Sequence, residues 1–379
     1  MDGMARPPLA SSRRLRWAVP VGAALVLAGV GPLASTLTAS AQGSLSPRTA
    51  AQLLVDVQRA DVRALSGTVV ETSALGLPSL PDLGGHGGQS AAFSSLVSGS
   101  HSMRLWYAGP EHVRLALLGQ LGESDLVRNG ADVWAWSSAD NTATHWTTPT
   151  EAGSPQVAPD PSSTTMTTPQ AAAEAALAAI DPTTRGTTDP TAVVAGRSAY
   201  ELDVVPRDPR STVGSVRIAV DGATHIPTRV QVYARGATSP AFEIGFTSFS
   251  TSAPPASTFA FTPPPGATVK EGRAAHPSAM PHHAQPAGAA PRVVGNGWTS
   301  VVVAPVGALQ GDQRAAGGAI GSAGGSLAGI LKSLPTVSGA WGSGHLLHGA
   351  LFSAVLTDDG RIAVGAVSPS MLYAALAQG

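Results

Sequence analysis

Residues 103–118 read Met103-Arg104-Leu105-Trp106-Tyr107-Ala108-Gly109-Pro110-Glu111-His112-Val113-Arg114-Leu115-Ala116-Leu117-Leu118, two short alternating runs separated by a turn. Met103, Leu105 and Tyr107 fall on one face of the first run, and Val113, Leu115 and Leu117 on one face of the second. Alternation with period two specifies half-buried strands, and Gly109-Pro110 between them a hairpin or tight corner. The design repeats on both sides of this pair. Asn129-Gly130, whose residues accept the positive φ of a type I′ turn, precedes a run carrying Val133, Trp134 and Trp136. Upstream, Val69 sits in an alternating run over 66–72. Downstream, Tyr200-Leu202-Val204, Val216-Ile218-Val220, Val230-Val232 and Phe242-Ile244-Phe246 each give one apolar face. Nine or so meandering strands of this kind, joined to helices, predict an α+β domain with an antiparallel sheet.

Two helices are expected beside the strands. Ser46-Pro47 is read as cap and first turn of one, with Ala50, Leu53, Leu54 and Val57 on a single face. The other covers 169–180 and is stopped by Asp181-Pro182. Gly/Ser-rich residues 76–100 and Thr/Pro-rich residues 147–167 read as loops, the former as a lid or a surface insertion.

The chain has 379 residues, room for two domains, and 43 Gly and 31 Pro with only 12% charged residues point to long irregular stretches. A net charge of −1 gives no electrostatic footprint for nucleic acid. With no cysteine, disulfides, thiol catalysis and thiolate metal sites are excluded. Four arginines within residues 1–16, an uncharged apolar run over 17–37 and Ala39-Ser40-Ala41 form an export signal. Cleavage is expected after Ala41; an uncleaved anchor is the rival reading, and both put the protein outside the cytoplasm. The Ala-rich usage, with Arg far outnumbering Lys, suits a GC-rich bacterial source.

Several local patterns occur in a recognisable order: an opening helix, the Leu-Trp-Tyr-x-x-Pro pair at 105–110, Asn-Gly before a Trp-containing strand, Asp-x(5)-Pro at 221–227, and Phe-x-Phe-x-Pro-Pro-x-Gly at 259–266. In this order along an exported chain, residues 46–270 resemble the lipoprotein-carrier superfamily, which includes LolA, LolB, LppX/LprG and the amino-terminal domain of RseB (MucB). The resemblance implies an unclosed antiparallel β-barrel with helices on its concave face and an apolar cavity for acyl chains of lipids or lipoproteins. The lipid-facing candidates are then Leu54, Val69, Leu105, Tyr107, Val113, Leu115, Leu117, Val133, Leu202, Ile218 and Val230. Trp106, Trp134 and Trp136 alternate opposite to them, and periodicity alone does not say which face is inside.

Residues 271–297, rich in Pro and His, read as a linker, and 298–379 as a small α/β domain. A small domain after the carrier-like one is the layout of RseB, so the chain resembles an RseB-like actinobacterial member. That branch implies a membrane-bound anti-sigma factor as partner. No enzyme motif, cofactor site or metal site is found; His345 and His348, three apart, lack acidic or thiol companions, and Asp358-Asp359 reads as turn chemistry. A monomer or weak dimer is expected, with no nucleic-acid partner.

Overall fold

A computed structural model describes residues 45–76, 99–119, 122–148, 183–272, 291–306 and 334–378. The export signal, nearly all of the 76–100 insertion, the helix expected over 169–180 and the His282-His283 stretch lie outside the described residues. Helix α1 (Ala50–Gln58) leads into β1 (Leu65–Ser73), β2 (His101–Tyr107), β3 (His112–Leu118), β4 (Glu123–Asn129), β5 (Asp132–Ser137) and β6 (Thr142–Thr147). A second meander follows: β7 (Thr184–Val194), β8 (Arg197–Pro206), β9 (Val213–Asp221), β10 (Pro227–Ala234) and β11 (Phe242–Ser250). A 3-10 turn (Ala256–Phe259) and β12 (Thr268–Glu271) end the first unit.

These strands make one sheet in the order β12-β6-β5-β4-β3-β2-β1-β11-β10-β9-β8-β7. The pairing of β1 with β11 welds the two meanders, and the end strands β12 and β7 do not meet, so the barrel is unclosed. All neighbours are antiparallel except β12, which runs parallel to β6. The second unit is a six-stranded sheet ordered β13-β14-β18-β17-β16-β15. Its strands are β13 (Arg292–Val294), β14 (Val301–Pro305), β15 (Thr336–Gly339), β16 (Gly342–His348), β17 (Ser353–Thr357) and β18 (Arg361–Gly365), with α2 (Pro369–Leu376) packed on one face.

Four local readings are corrected. Helix α1 begins at Ala50 behind a Thr49/Gln52 capping box, because residues 45–48 are held extended on the sheet. There Tyr200 donates to the Ser46 carbonyl (2.9 Å), Thr188 to that of Arg48, and Leu45 N–H to that of Pro190 (3.2 Å). Strand β7 went unread because Gly186, Asp189 and Pro190 disfavour strands; it is an edge strand whose register breaks at Pro190. The stretch 342–348 is a strand, so His345 and His348 point to opposite faces; His348 Nδ1 lies 2.9 Å from Ser353 Oγ. The second sheet also starts at Arg292, within the stretch read as linker.

The two units share one core. Leu351, Phe352 and Ala366 of the second sheet are buried in the same apolar cluster as Leu53, Val69 and Ile218. Hydrogen bonds cross the joint: Ala350 N–H to the Leu75 carbonyl (2.7 Å), Thr212 N–H to Ala366 (2.9 Å), Thr212 Oγ1 to Leu351 (2.6 Å), and the Trp298 indole to Thr184 Oγ1 (2.8 Å).

Candidate functional site

Cross-strand register sorts the first unit's side chains into two faces. Val69 stands beside Met103 on one side and Phe246 on the other, and Met103 beside Leu117. Leu105 stands beside Leu115. A longer row on the same face runs His101, Glu71, Ile244, Val230, Ile218, Leu202, from β2 through β1, β11, β10 and β9 to β8. Helix α1 lies over the far end of this face. Its Leu53 is fully buried in the cluster. A Cβ on Gly186 would come within 3.2 Å of the Ala50 Cβ, so the bare glycine sets how closely the helix approaches β7.

The aliphatic face is therefore the concave, helix-covered one. Val69, Leu105, Leu115, Leu117, Leu202, Ile218 and Val230 are buried in this single cluster, with Leu54, Tyr107 and Val113 half-buried against it. Val133 is not brought in. It pairs with Arg128 and Trp146 near the end of the sheet and is not among the residues of the buried cluster.

The aromatic face of β3–β6 is covered by the chain's own closing segment. Phe259 meets the His112 ring at 5.6 Å, and Trp134 lies between Phe261 (5.4 Å) and the stacked ring of His145 (4.3 Å). Trp106 carries the guanidinium groups of Arg104 and Arg114 at 5.2 and 5.6 Å. The Phe-x-Phe motif is thus a lid on the back of the sheet, seated on His112 and Trp134.

His145 also ties down β12. Its ring lies 2.9 Å from Asp132 and 3.2 Å from Glu271, the last residue of β12. Its pKa is raised, mainly by the bond to Asp132 and against burial, with Glu271 adding to the rise. Protonation thus strengthens the clamp: its contribution is complete below the ordinary value of 6.5 and is lost as pH climbs past the raised one. Hydrogen exchange at residues 268–271, corrected for intrinsic rates, is expected to quicken over that rise; His145→Gln should abolish the pH dependence.

On the back of β8–β11 charges replace aromatics. Glu201 bridges to Arg229 (2.8 Å), Gln231 donates to Glu243 (2.8 Å), and Arg217 lies over Tyr233 at 4.7 Å. A solvent-open cleft of about 510 Å³ adjoins them, lined by Ser215, Arg217, Tyr233 and Arg235. Arg235 is committed to the carbonyls of Asp208, Ser211 and Val213, so the cleft has a structural wall.

One residue of the concave face was not anticipated. Glu71 is 1% exposed, and neither carboxylate oxygen has a hydrogen-bond partner. Burial pushes its pKa up to about 7. Period-two counting from Val69 places it on this face, between His101 and Ile244.

Solved structures with a similar arrangement include Pseudomonas aeruginosa MucA/MucB, 16% identical, covering 86% of this chain and 95% of that one at a TM-score of 0.38. MucB in complex with MucA(peri) is also 16% identical, with 86% and 97% covered and the same TM-score. A LolA superfamily protein from Nitrosomonas europaea is 11% identical, covering 57% of this chain and 99% of its own at a TM-score of 0.21. No family model and no curated protein matches the sequence. Among the described residues, no group of three His, Asp or Glu is placed to hold a metal, and no helix is long and apolar enough to cross a membrane.

Proposed function

We propose that the protein is a non-enzymatic, extracytoplasmic regulator of the RseB kind. It binds a membrane-bound partner, an anti-sigma factor, through protein–protein contacts, and takes an acyl chain of a lipid or lipoprotein on its concave face as signal. The observation that carries the reading is the shared core. Strand β1 brings Val69 and Glu71 to the concave face, and just beyond its end the Leu75 carbonyl accepts from Ala350 of the second unit. Repacking around a cargo would be felt directly at the second sheet, which suits a sensor better than a simple carrier. MucB is seen in complex with MucA(peri), and a partner of comparable kind is proposed for this chain.

Because the units share a core, deleting 298–379 would uncover Leu75 and Val213, and the test needs the full chain. Titration of the full chain against the extracytoplasmic segments of its host's anti-sigma factors is expected to give one binder, with affinity changed by loading lipid. Absence of binding by every such segment, with and without lipid, would discard the regulatory reading. Native mass spectrometry of protein from its own host reports separately on bound lipid.

A further inference from the structure

Resting on the reading of the concave face as an acyl-chain site, we infer that Glu71 is its head-group selector. Its carboxyl takes an O–H or N–H donor at the polar end of the lipid and rejects chains that end in a carboxylate. Both oxygens are buried and without a partner among the described residues, a state that is rare in folded proteins and calls for a partner from outside. The side chain is set in an otherwise apolar run. Ile244, Val230, Ile218 and Leu202 continue away from it, four strand spacings that total about 19 Å. A hydrocarbon chain laid along this run would bring its polar end to Glu71.

The groups around the carboxyl supply no competing charge bond. On its own strand Val69 and Ser73 share the face, Ile244 stands beside it on β11, and His101 stands beside it on β2 without a hydrogen bond to it. The charged residues Arg229 and Glu243 lie on the opposite face of the sheet. Burial also holds the carboxyl near the middle of the pH range, so it can meet a hydroxyl as a neutral acid or an amine as an anion. At pH 7.5 the carboxyl is mostly ionised, and a second carboxylate brought beside it would meet like charge with only the His101 ring adjacent.

The test uses three probes with the same twelve-carbon chain, monolauroylglycerol, dodecylamine and lauric acid, titrated calorimetrically below their micelle concentrations into the full chain at pH 7.5. The two donor-headed probes are expected to bind about tenfold tighter than laurate or better. Glu71→Leu should shrink that preference to within about threefold. Glu71→Gln, which keeps an acceptor but no charge, should recover laurate binding while holding the glycerol lipid. Equal preference in wild type and Glu71→Leu would overturn the selector role and leave the acyl-site reading intact. If none of the probes binds, the acyl-site reading falls and the selector role with it.

Discussion

Asp221→Ala is expected to destabilise the fold by about 3 kcal/mol, toward the lower end for a broken buried ion pair. The carboxylate is 1% exposed and accepts Arg197 Nε at 2.6 Å and a second guanidinium nitrogen at 3.0 Å. It also accepts the Thr224 hydroxyl and backbone N–H, both at 2.8 Å, and Ala223 N–H at 3.2 Å. Alanine would orphan all of these at the turn between β9 and β10, where His225 holds a φ of 57°. The Arg197 side chain is 35% exposed and can regain water, which keeps the cost from the upper end. Burial alone would raise the Asp221 pKa, but the bonds from Arg197 and Thr224 prevail and lower it. Its stabilisation is therefore complete above the ordinary 3.8 and is lost as pH falls through the depressed value. Urea unfolding at pH 7 measures the effect. A loss under about 1 kcal/mol would reduce the pair to surface strength, and an Arg197→Leu/Asp221→Leu double variant should lie closer to wild type than Asp221→Ala does.

That result would also fix the meaning of the Asp-x(5)-Pro motif, which the structure makes a turn and not a site. The motif was visible in the sequence because turn chemistry is local, and so were the alternating faces of β2, β3, β8 and β9. What was hidden depends on partners far away in the chain. Ser46 looks like a helix cap until Tyr200, 154 residues on, claims its carbonyl. Strand β7 has the composition of a loop and is a strand only because β8 pairs with it. The tryptophans of β5 could not be assigned inside or outside until Phe259 and Phe261 were seen against that face. Val133 continues the alternation but pairs with Arg128 and Trp146 near the end of the sheet, outside the buried cluster, a two-dimensional property that one strand does not carry. Glu71 is the opposite case: its face was readable from Val69, while its lack of a partner was not.

That lack sets the second large effect. Glu71→Leu is expected to stabilise the protein by about 3 kcal/mol at pH 8, since holding the carboxyl at about 7 instead of 4.5 makes its ionisation that costly in the fold. The folded state binds the proton more tightly than the unfolded chain does. Stability therefore declines as pH rises from 4.5 to 7, and the full penalty stands above 7. At pH 5 the gain from leucine should shrink to about 1 kcal/mol, because little of the ionisation penalty has yet developed. Leucine nearly matches glutamate in volume, so neither a cavity nor overpacking obscures the comparison. Denaturant unfolding at the two pH values reads it. A gain independent of pH, or none at pH 8, would mean that the carboxyl has found a partner in the free protein. His101 stands beside Glu71 on the same face, so the pair of measurements is repeated in a His101→Asn background; the pH dependence should survive there. Adding dodecylamine to the wild type at pH 8 should then recover part of the same stability, because the amine supplies the partner that the fold leaves out.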